Sequence, residues 1–183
     1  MDATDRLIVI TGGPGSGKTT LIEALAKHGL AVRPEAGRAI IRDQLAIGGE
    51  GLPWKNRALF AELMLAADLR SYDEARRLEG AVFFDRGLPD IAGYLTLCGL
   101  PVPPHVEAVA RRFRYRRSVF IAPPWPAIFG QDAERRQDFA EAERTCAVMA
   151  RIYPRYGYDL VELPLTSVES RLDFILQRLD TAA

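Results

Sequence analysis

The sequence predicts an α/β fold, a parallel sheet with crossover helices arranged in three layers. Short runs of β-forming residues alternate with longer stretches of helical period, the pattern of strand–helix–strand crossovers. Several of those runs are almost wholly apolar, as strands covered on both faces must be. A chain of 183 residues with 48% hydrophobic composition also supplies enough apolar surface for such a core, and residues 1–183 are expected to form one domain.

Five strands are expected, over Leu7 to Thr11, Leu30 to Arg33, Ala81 to Asp85, Ser118 to Ala122 and Tyr158 to Leu163. Between them, Lys18 to His28 reads as a helix ended by Gly29. Trp54 to Leu78 reads as a long helix with Leu59, Leu63, Ala66 and Leu69 on one face. A helix from about Ala133 to Tyr153 repeats Phe139, Ala142, Cys146, Met149 and Ile152, and is expected to stop at Pro154, which lacks an N–H. The last helix opens on a capping box of Thr166 and Glu169 and turns Val168, Leu172, Ile175 and Leu179 inward.

With 24 basic and 24 acidic residues the formal net charge is zero, so no global field favours a polyanion; neither nucleic acid nor a membrane is expected as a partner. Cys98 and Cys146 form no C-x-x-C pair, and His28 and His105 lack metal-ligand spacing. Met1 to Arg6 fits neither a signal peptide nor a transit peptide, and no apolar run approaches the roughly 18 residues of a membrane span. The expected location is cytoplasmic.

The most specific motif follows the first strand. Gly12-Gly13-Pro14-Gly15-Ser16-Gly17-Lys18-Thr19 matches G-x-x-x-x-G-K-[ST] between an apolar strand and a helix, and Thr20 continues it. Glycines let successive backbone N–H groups curl around phosphates, and the helix N-terminus adds its dipole. Lys18 is expected on the β and γ phosphates and the Thr19 hydroxyl on Mg²⁺, which makes ATP with Mg²⁺ the expected cofactor pair. Ala81-Val82-Phe83-Phe84-Asp85 reads as a hydrophobic strand ending in a second metal-side carboxylate, Asp85. The residue after it is Arg86, where motor-type ATPases carry a water-activating glutamate. Arg86 could grip an acceptor's phosphate or carboxylate, or pair with a nearby acid. Asp90 could be a helix-start acid or a substrate contact.

The second strand ends in Arg33-Pro34-Glu35-Ala36-Gly37-Arg38, and strand C-termini line the ligand crevice of such sheets. Glu35 is a candidate general base for an acceptor hydroxyl. Arg38 is a candidate for substrate anions, or the two could form a helix-start ion pair. After the fourth strand, Pro123-Pro124-Trp125-Pro126 begins a lid-like segment of about residues 123–137, whose Arg135 and Arg136 could fold over the triphosphate. The run Arg111-Arg112-Phe113-Arg114-Tyr115-Arg116-Arg117 superficially suggests nucleic acid. Its place at a helix end leading into a strand favours structural arginines instead.

Taken together, Gly12 to Thr20, Arg33-Pro34-Glu35-Ala36, Phe84-Asp85-Arg86-Gly87, the Pro-Trp-Pro loop and Asp132 to Arg136 resemble the small AAA-domain members of the P-loop NTPase superfamily. These are related to NadR-like nicotinamide riboside kinase domains and share features with deoxynucleoside and thymidylate kinases. The resemblance spans nearly the whole chain and implies a five-stranded sheet of order 2-3-1-4-5. It implies that Lys18 and Thr19 hold phosphate and Mg²⁺, that Asp85 and Arg86 match the Asp-Arg step of thymidylate kinases, and that Glu35 matches the acid after the second strand of deoxynucleoside kinases. Gly87 departs from the Tyr or His usual in thymidylate kinases, so acceptor identity does not carry over. The leading expectation is a kinase moving the γ-phosphate of ATP to a nucleoside- or nucleotide-like acceptor; the alternative is a slow ATPase or switch acting through a protein partner. The guanine-reading [NT]-K-x-D pattern is absent, because no Lys stands two residues before an Asp.

Overall fold

The computed structural model describes residues 4–130 and 138–180. Five strands, β1 (Leu7–Gly12), β2 (Ala31–Arg33), β3 (Val82–Asp85), β4 (Ser118–Ala122) and β5 (Asp159–Glu162), form one parallel sheet in the order β2-β3-β1-β4-β5. This is the order the resemblance implies. Each strand lies within the range expected for it to within one residue.

The helices are α1 (Lys18–Lys27), α2 (Ala36–Ala46), α3 (Arg57–Ala75), α4 (Leu88–Leu97), α5 (Pro104–Arg112), α6 (Phe139–Arg155) and α7 (Val168–Asp180). Side chains of β1 alternate between two cores, because successive residues of a strand point to opposite faces. Leu7 and Val9 join Val82, Phe84, Val119 and Ile121 under α3, α4 and α6. Ile8 and Ile10 join Phe83, Phe120 and Ala122 under α1 and α7. Every residue of β1 is buried, which explains its unbroken apolar run. Register then aligns the strand ends that matter: Ile10 sits beside Asp85 on one side and Phe120 on the other, with Gly12 beside Ala122.

Five expectations need correction. Helix α3 is shorter than expected, starting at Arg57, where Asn56 caps it by accepting from the Leu59 N–H at 3.0 Å. Its buried face is Phe60, Ala61, Leu65, Tyr72 and Ala75, whereas Leu59 is exposed. An apolar-only pattern misplaced the stripe because polar Asp68 and Tyr72 lie on it. Helix α6 begins at Phe139, with Asp138 in an extended conformation accepting from the Glu141 N–H at 2.7 Å. It passes through Pro154 to Arg155, because so close to the end only one backbone bond is lost. Gly157, at φ 79°, is what turns the chain away, with its N–H on the Pro154 carbonyl at 2.9 Å. The cap of α7 is Ser167, whose hydroxyl accepts from the Ser170 N–H at 3.3 Å, one residue later than the Thr166 box. Helix α2 carried no clear periodicity, since Gly37 is its one buried residue.

The arginine run is occupied in holding elements together. Arg114 donates to the Tyr156 carbonyl at 2.8 Å and lies 4.1 Å over the Tyr158 ring. Arg117 pairs with Asp159 at 2.8 Å, Arg116 donates to the Arg178 carbonyl at 3.3 Å, and Arg111 pairs with Glu107 one turn back. Both cysteines are partly buried and unpaired, and His105 pairs with Glu62 at the surface. Among the described residues no helix is long and apolar enough to cross a membrane.

Candidate functional site

Between β1 and α1 the chain makes a tight loop that its glycines permit. A Cβ on Gly13 would stand 2.2 Å from the Ala142 carbonyl oxygen, and one on Gly12 would stand 2.3 Å from that of Ala122. Gly15 and Gly17 take φ of 71° and 79°, left-handed values that other residues adopt only at a cost. The Ser16 hydroxyl donates to the Gly13 carbonyl at 2.8 Å and fixes the curl. Lys18, the first residue of α1, reaches back so that its ammonium donates to the same carbonyl at 2.6 Å and to Ser16 Oγ at 3.3 Å. Burial, with Arg86 adding repulsion, brings the Lys18 pKa down to about 8. An anion in the loop would reverse that shift. Pro14, Thr19 and Thr20 line the open side of the loop.

Asp85 closes β3 beside this loop. The Thr19 hydroxyl lies 3.4 Å from Asp85 Oδ2, while Asp85 Oδ1 is buried without a hydrogen-bond partner. Burial pushes the Asp85 carboxyl up against the opposing pull of Lys18. An orphaned carboxylate oxygen next to a threonine hydroxyl is a donor set that fits a hard cation. Mg²⁺ in particular takes one or two protein oxygens and completes its shell with phosphate and water. Among the described residues no group of three His, Cys, Asp or Glu side chains could hold a metal alone.

Arg86 has φ 73°, the one positive value at a non-glycine residue among those described. That conformation costs about 1–3 kcal/mol and is held by its surroundings. Its N–H donates to the Ile10 carbonyl at 3.0 Å, and its guanidinium donates to Glu35 Oε1 at 3.1 Å, Asp90 Oδ1 at 3.1 Å and the Gly12 carbonyl at 3.0 Å. The left-handed turn is what swings Arg86 from the end of β3 across the end of β1 towards β2. Glu35, the residue before α2, thus pairs with Arg86. Burial pushes the Glu35 carboxyl up, but Arg86 and Lys18 together outweigh it and hold it below its usual value.

Asp90 is buried behind Arg86. It accepts from the Gly87 N–H at 2.9 Å, the Thr11 hydroxyl at 2.7 Å, the Tyr153 hydroxyl and Arg86. The Asp90 carboxylate therefore caps α4 and anchors Arg86 from within the protein. Gly87 is required by crowding, since a Cβ there would lie 2.9 Å from Val9 Cγ2 and 3.2 Å from the Tyr153 hydroxyl. A larger side chain at that step has no room in this packing.

Lys18, Thr19, Glu35, Asp85, Arg86 and Asp90 open onto one cavity of about 710 Å³ that runs from the glycine loop past Arg38 to α3 and α4. Arg135 and Arg136 lie outside the described residues. The described part of the lid-like segment lies against the loop: a Cβ on Gly15 would meet the Phe129 ring at 2.5 Å, and Trp125 and Ile128 line the cavity.

Three side chains escaped the sequence reading. Arg171, 2% exposed, donates to the Ser16 carbonyl and the Pro164 carbonyl, each at 2.8 Å, and lies 5.1 Å from the Trp125 ring centre. Asp68 sits on the inward stripe of α3 and lines the cavity. Its pKa is pushed up to about 8, first by burial and then by the charges of Asp90 and Glu35, with Arg86 opposing. Tyr94 of α4 lines the same cavity with its hydroxyl buried and unpartnered. A polar residue on an otherwise apolar helix face was the signal available for Asp68 and Arg171.

The model of a family described as an AAA domain matches residues 7–171. No curated protein sequence matches the chain. Among solved structures, a deoxyadenosine kinase from M. mycoides, with dCMP and a flexible dCDP bound, superposes with a TM-score of 0.65 at 15% identity, covering 97% of this chain and 100% of that one. A thymidylate kinase from Ehrlichia chaffeensis gives 0.62 at 14% identity, covering 96% and 98%. NadR protein in complex with NR gives 0.66 at 17% identity; the match covers 95% of this chain and 50% of the NadR chain. At these identities the likeness is one of fold, a P-loop NTPase with a nucleoside-kinase-like sheet.

Proposed function

From the premise that this chain belongs to that AAA-domain family, we propose that it is a phosphotransferase moving the γ-phosphate of ATP to a hydroxyl of a nucleoside- or nucleotide-like acceptor. The observation that carries the reading is the Glu35–Arg86–Asp90 network, set at the ends of β2 and β3 and opening onto the same cavity as the glycine loop. A hydrolase needs to hold only water there. A carboxylate and a guanidinium locked together beside the phosphate site suit a larger acceptor that must be aimed.

In this reading the backbone of Gly12, Gly13, Pro14, Gly15, Ser16, Gly17 and Lys18 cradles the phosphates, with Thr20 at the edge of the loop. The Lys18 ammonium leaves the Gly13 carbonyl for the β and γ oxygens. Thr19 and Asp85 would hold Mg²⁺, which when bound neutralises charge on those oxygens. The acceptor hydroxyl sits against Glu35. As the bond from phosphorus to the β–γ bridging oxygen breaks and the bond to the acceptor oxygen forms, the hydroxyl proton passes to the Glu35 carboxylate. A carboxylate held low is a weak base, and a loose phosphoryl-transfer transition state asks chiefly for positioning, which the ion pair supplies. Arg86 spends Nε and Nη1 on Glu35, Asp90 and Gly12, so Asp90 acts as its positioning residue. Arg38 at the cavity rim is the candidate for an acceptor anion. Arg135 and Arg136 retain their proposed role over the triphosphate.

ADP formation measured with Mg·ATP against a panel of nucleosides and nucleotides tests the proposal. The expected result is a rate that one acceptor class raises well above the water background. A rate indifferent to every acceptor but raised by a protein partner would support the switch reading instead.

A further inference from the structure

Past the Glu35–Arg86 pair, the cavity is walled by Phe60 and Met64 of α3 and Ile91 and Leu97 of α4, and into this apolar part come Asp68 and Tyr94. Asp68 stands one turn after Met64 and one before Tyr72 on the inward stripe of α3, where packing alone favours an apolar side chain. Among the described residues no hydrogen bond or ion pair reaches its carboxyl. The Tyr94 hydroxyl is buried without an oxygen or nitrogen partner, with only the Cys98 thiol, a weak hydrogen-bonding group, beside it. A buried hydroxyl is rarely left so, and with the half-buried, unpartnered Asp68 carboxyl facing the same cavity from the helix packed against it, the pair specifies a ligand that supplies the missing partners.

The protonation of Asp68 defines which partners those are. With its pKa pushed up by burial, the carboxyl keeps its proton at neutral pH and offers an O–H donor beside a carbonyl acceptor in one plane. Such a pair is complementary to a ring carbonyl next to an N–H, two hydrogen bonds in parallel. It suits neither a phosphate, which offers acceptors alone, nor a hydrocarbon edge.

We propose that Asp68, with Tyr94 beside it, determines specificity for the acceptor's ring, and that this ring presents an amide-type edge, as a nucleobase or a ring carboxamide does. The inference rests on the phosphotransferase reading for the acceptor's other end, whose hydroxyl meets Glu35.

Two variants separate the possibilities. Asp68→Asn keeps a neutral, planar donor–acceptor pair; Asp68→Leu keeps the bulk without it. For wild type and both variants, kcat and KM are measured with Mg·ATP, and Kd in the presence of a non-hydrolysable ATP analogue. The probes are uridine and inosine, which carry the edge in the base, a pyridine carboxamide riboside, which carries it on a substituent, and a phenyl riboside, which has none. Melting curves verify that each variant is folded. Wild type and Asp68→Asn are expected to favour at least one amide-edged probe over the phenyl riboside by about 10-fold or more, since a site built to pair polar groups rejects a ligand lacking them. Asp68→Leu is expected to raise KM and Kd for that probe by about 10-fold or more, with kcat little changed and the phenyl riboside unaffected.

Unchanged selectivity in Asp68→Leu overturns the proposal. So does an equal loss in Asp68→Asn, because charge would then be the feature recognised. If wild type turns over no probe, the phosphotransferase reading fails, and the Kd values still decide the role of Asp68. Absence of binding by every probe overturns the inference as well.

Discussion

The two ends of the cavity are built by different means. At the phosphate end, specificity resides in the backbone: glycines whose Cβ positions are filled by carbonyl oxygens of neighbouring elements, left-handed turns at Gly15 and Gly17, and a lysine folded onto its own loop. At the proposed acceptor end the lining comes from side chains that reach across from separate elements, Glu35 after β2, Arg86 after β3, Asp68 on α3 and Tyr94 on α4. In the proposed reading the first arrangement suits one chemical group, a polyphosphate, and leaves little to vary. The second leaves the scaffold intact while single side chains alter what is admitted.

The sharpest break between the two ends is expected from Glu35→Gln. It should lower kcat for acceptor phosphorylation by about 10²–10⁴-fold, the usual range for losing a proton acceptor. Affinity for the ATP analogue, measured by calorimetry, should stay within a few-fold. Next in size is Lys18→Ala, expected to weaken binding of the triphosphate by about 100-fold through loss of a charge-assisted hydrogen bond. Retained micromolar affinity in that variant would remove the phosphate assignment from the loop.

A smaller effect is expected from Gly13→Ala. Its new methyl must displace the Ala142 carbonyl of α6, and overpacking of this kind costs about 1–3 kcal/mol in urea unfolding.

The smallest concerns stability against pH at the acceptor end, where solvent reaches the half-buried Asp68 and screens the effect. The folded chain keeps the Asp68 proton up to about pH 8, whereas the unfolded chain loses it near 3.8. Between those values the folded state binds more protons, so ionisation of Asp68 subtracts stability as pH rises. Asp68→Asn cannot ionise. Its melting temperature relative to wild type is expected to be higher at pH 8 than at pH 4, by roughly 2 °C or more. A difference that does not change with pH would mean that Asp68 is ordinarily ionised.

What could be read in the sequence followed the same division. Local backbone demands are written locally, so the strands, helix α1 and the whole glycine loop were legible from consecutive residues. So was Asp85, as the end of an apolar run. The pairing of Glu35 with Arg86 was not, because it depends on a left-handed residue, φ 73° at Arg86, that no neighbouring glycine announces. Asp90 was ambiguous for a related reason: the hydroxyls that occupy it come from Thr11 and Tyr153, 79 and 63 residues away. Asp68 was hidden because a search for apolar period follows leucines, and those at 59 and 63 drew the stripe of α3 to the wrong side. The same signal misplaced the start of α6, where helical period continued upstream but Asp138 caps the helix.

The central claim is that the γ-phosphate leaves ATP for an acceptor held at Glu35, and its fate can be followed directly. With γ-labelled ATP, Mg²⁺ and the acceptor class that raises ADP formation, the account predicts label recovered on the acceptor's hydroxyl in amounts equal to the ADP formed, with Glu35→Gln abolishing most of that transfer. Label recovered only as inorganic phosphate, whatever acceptor is present, would contradict it.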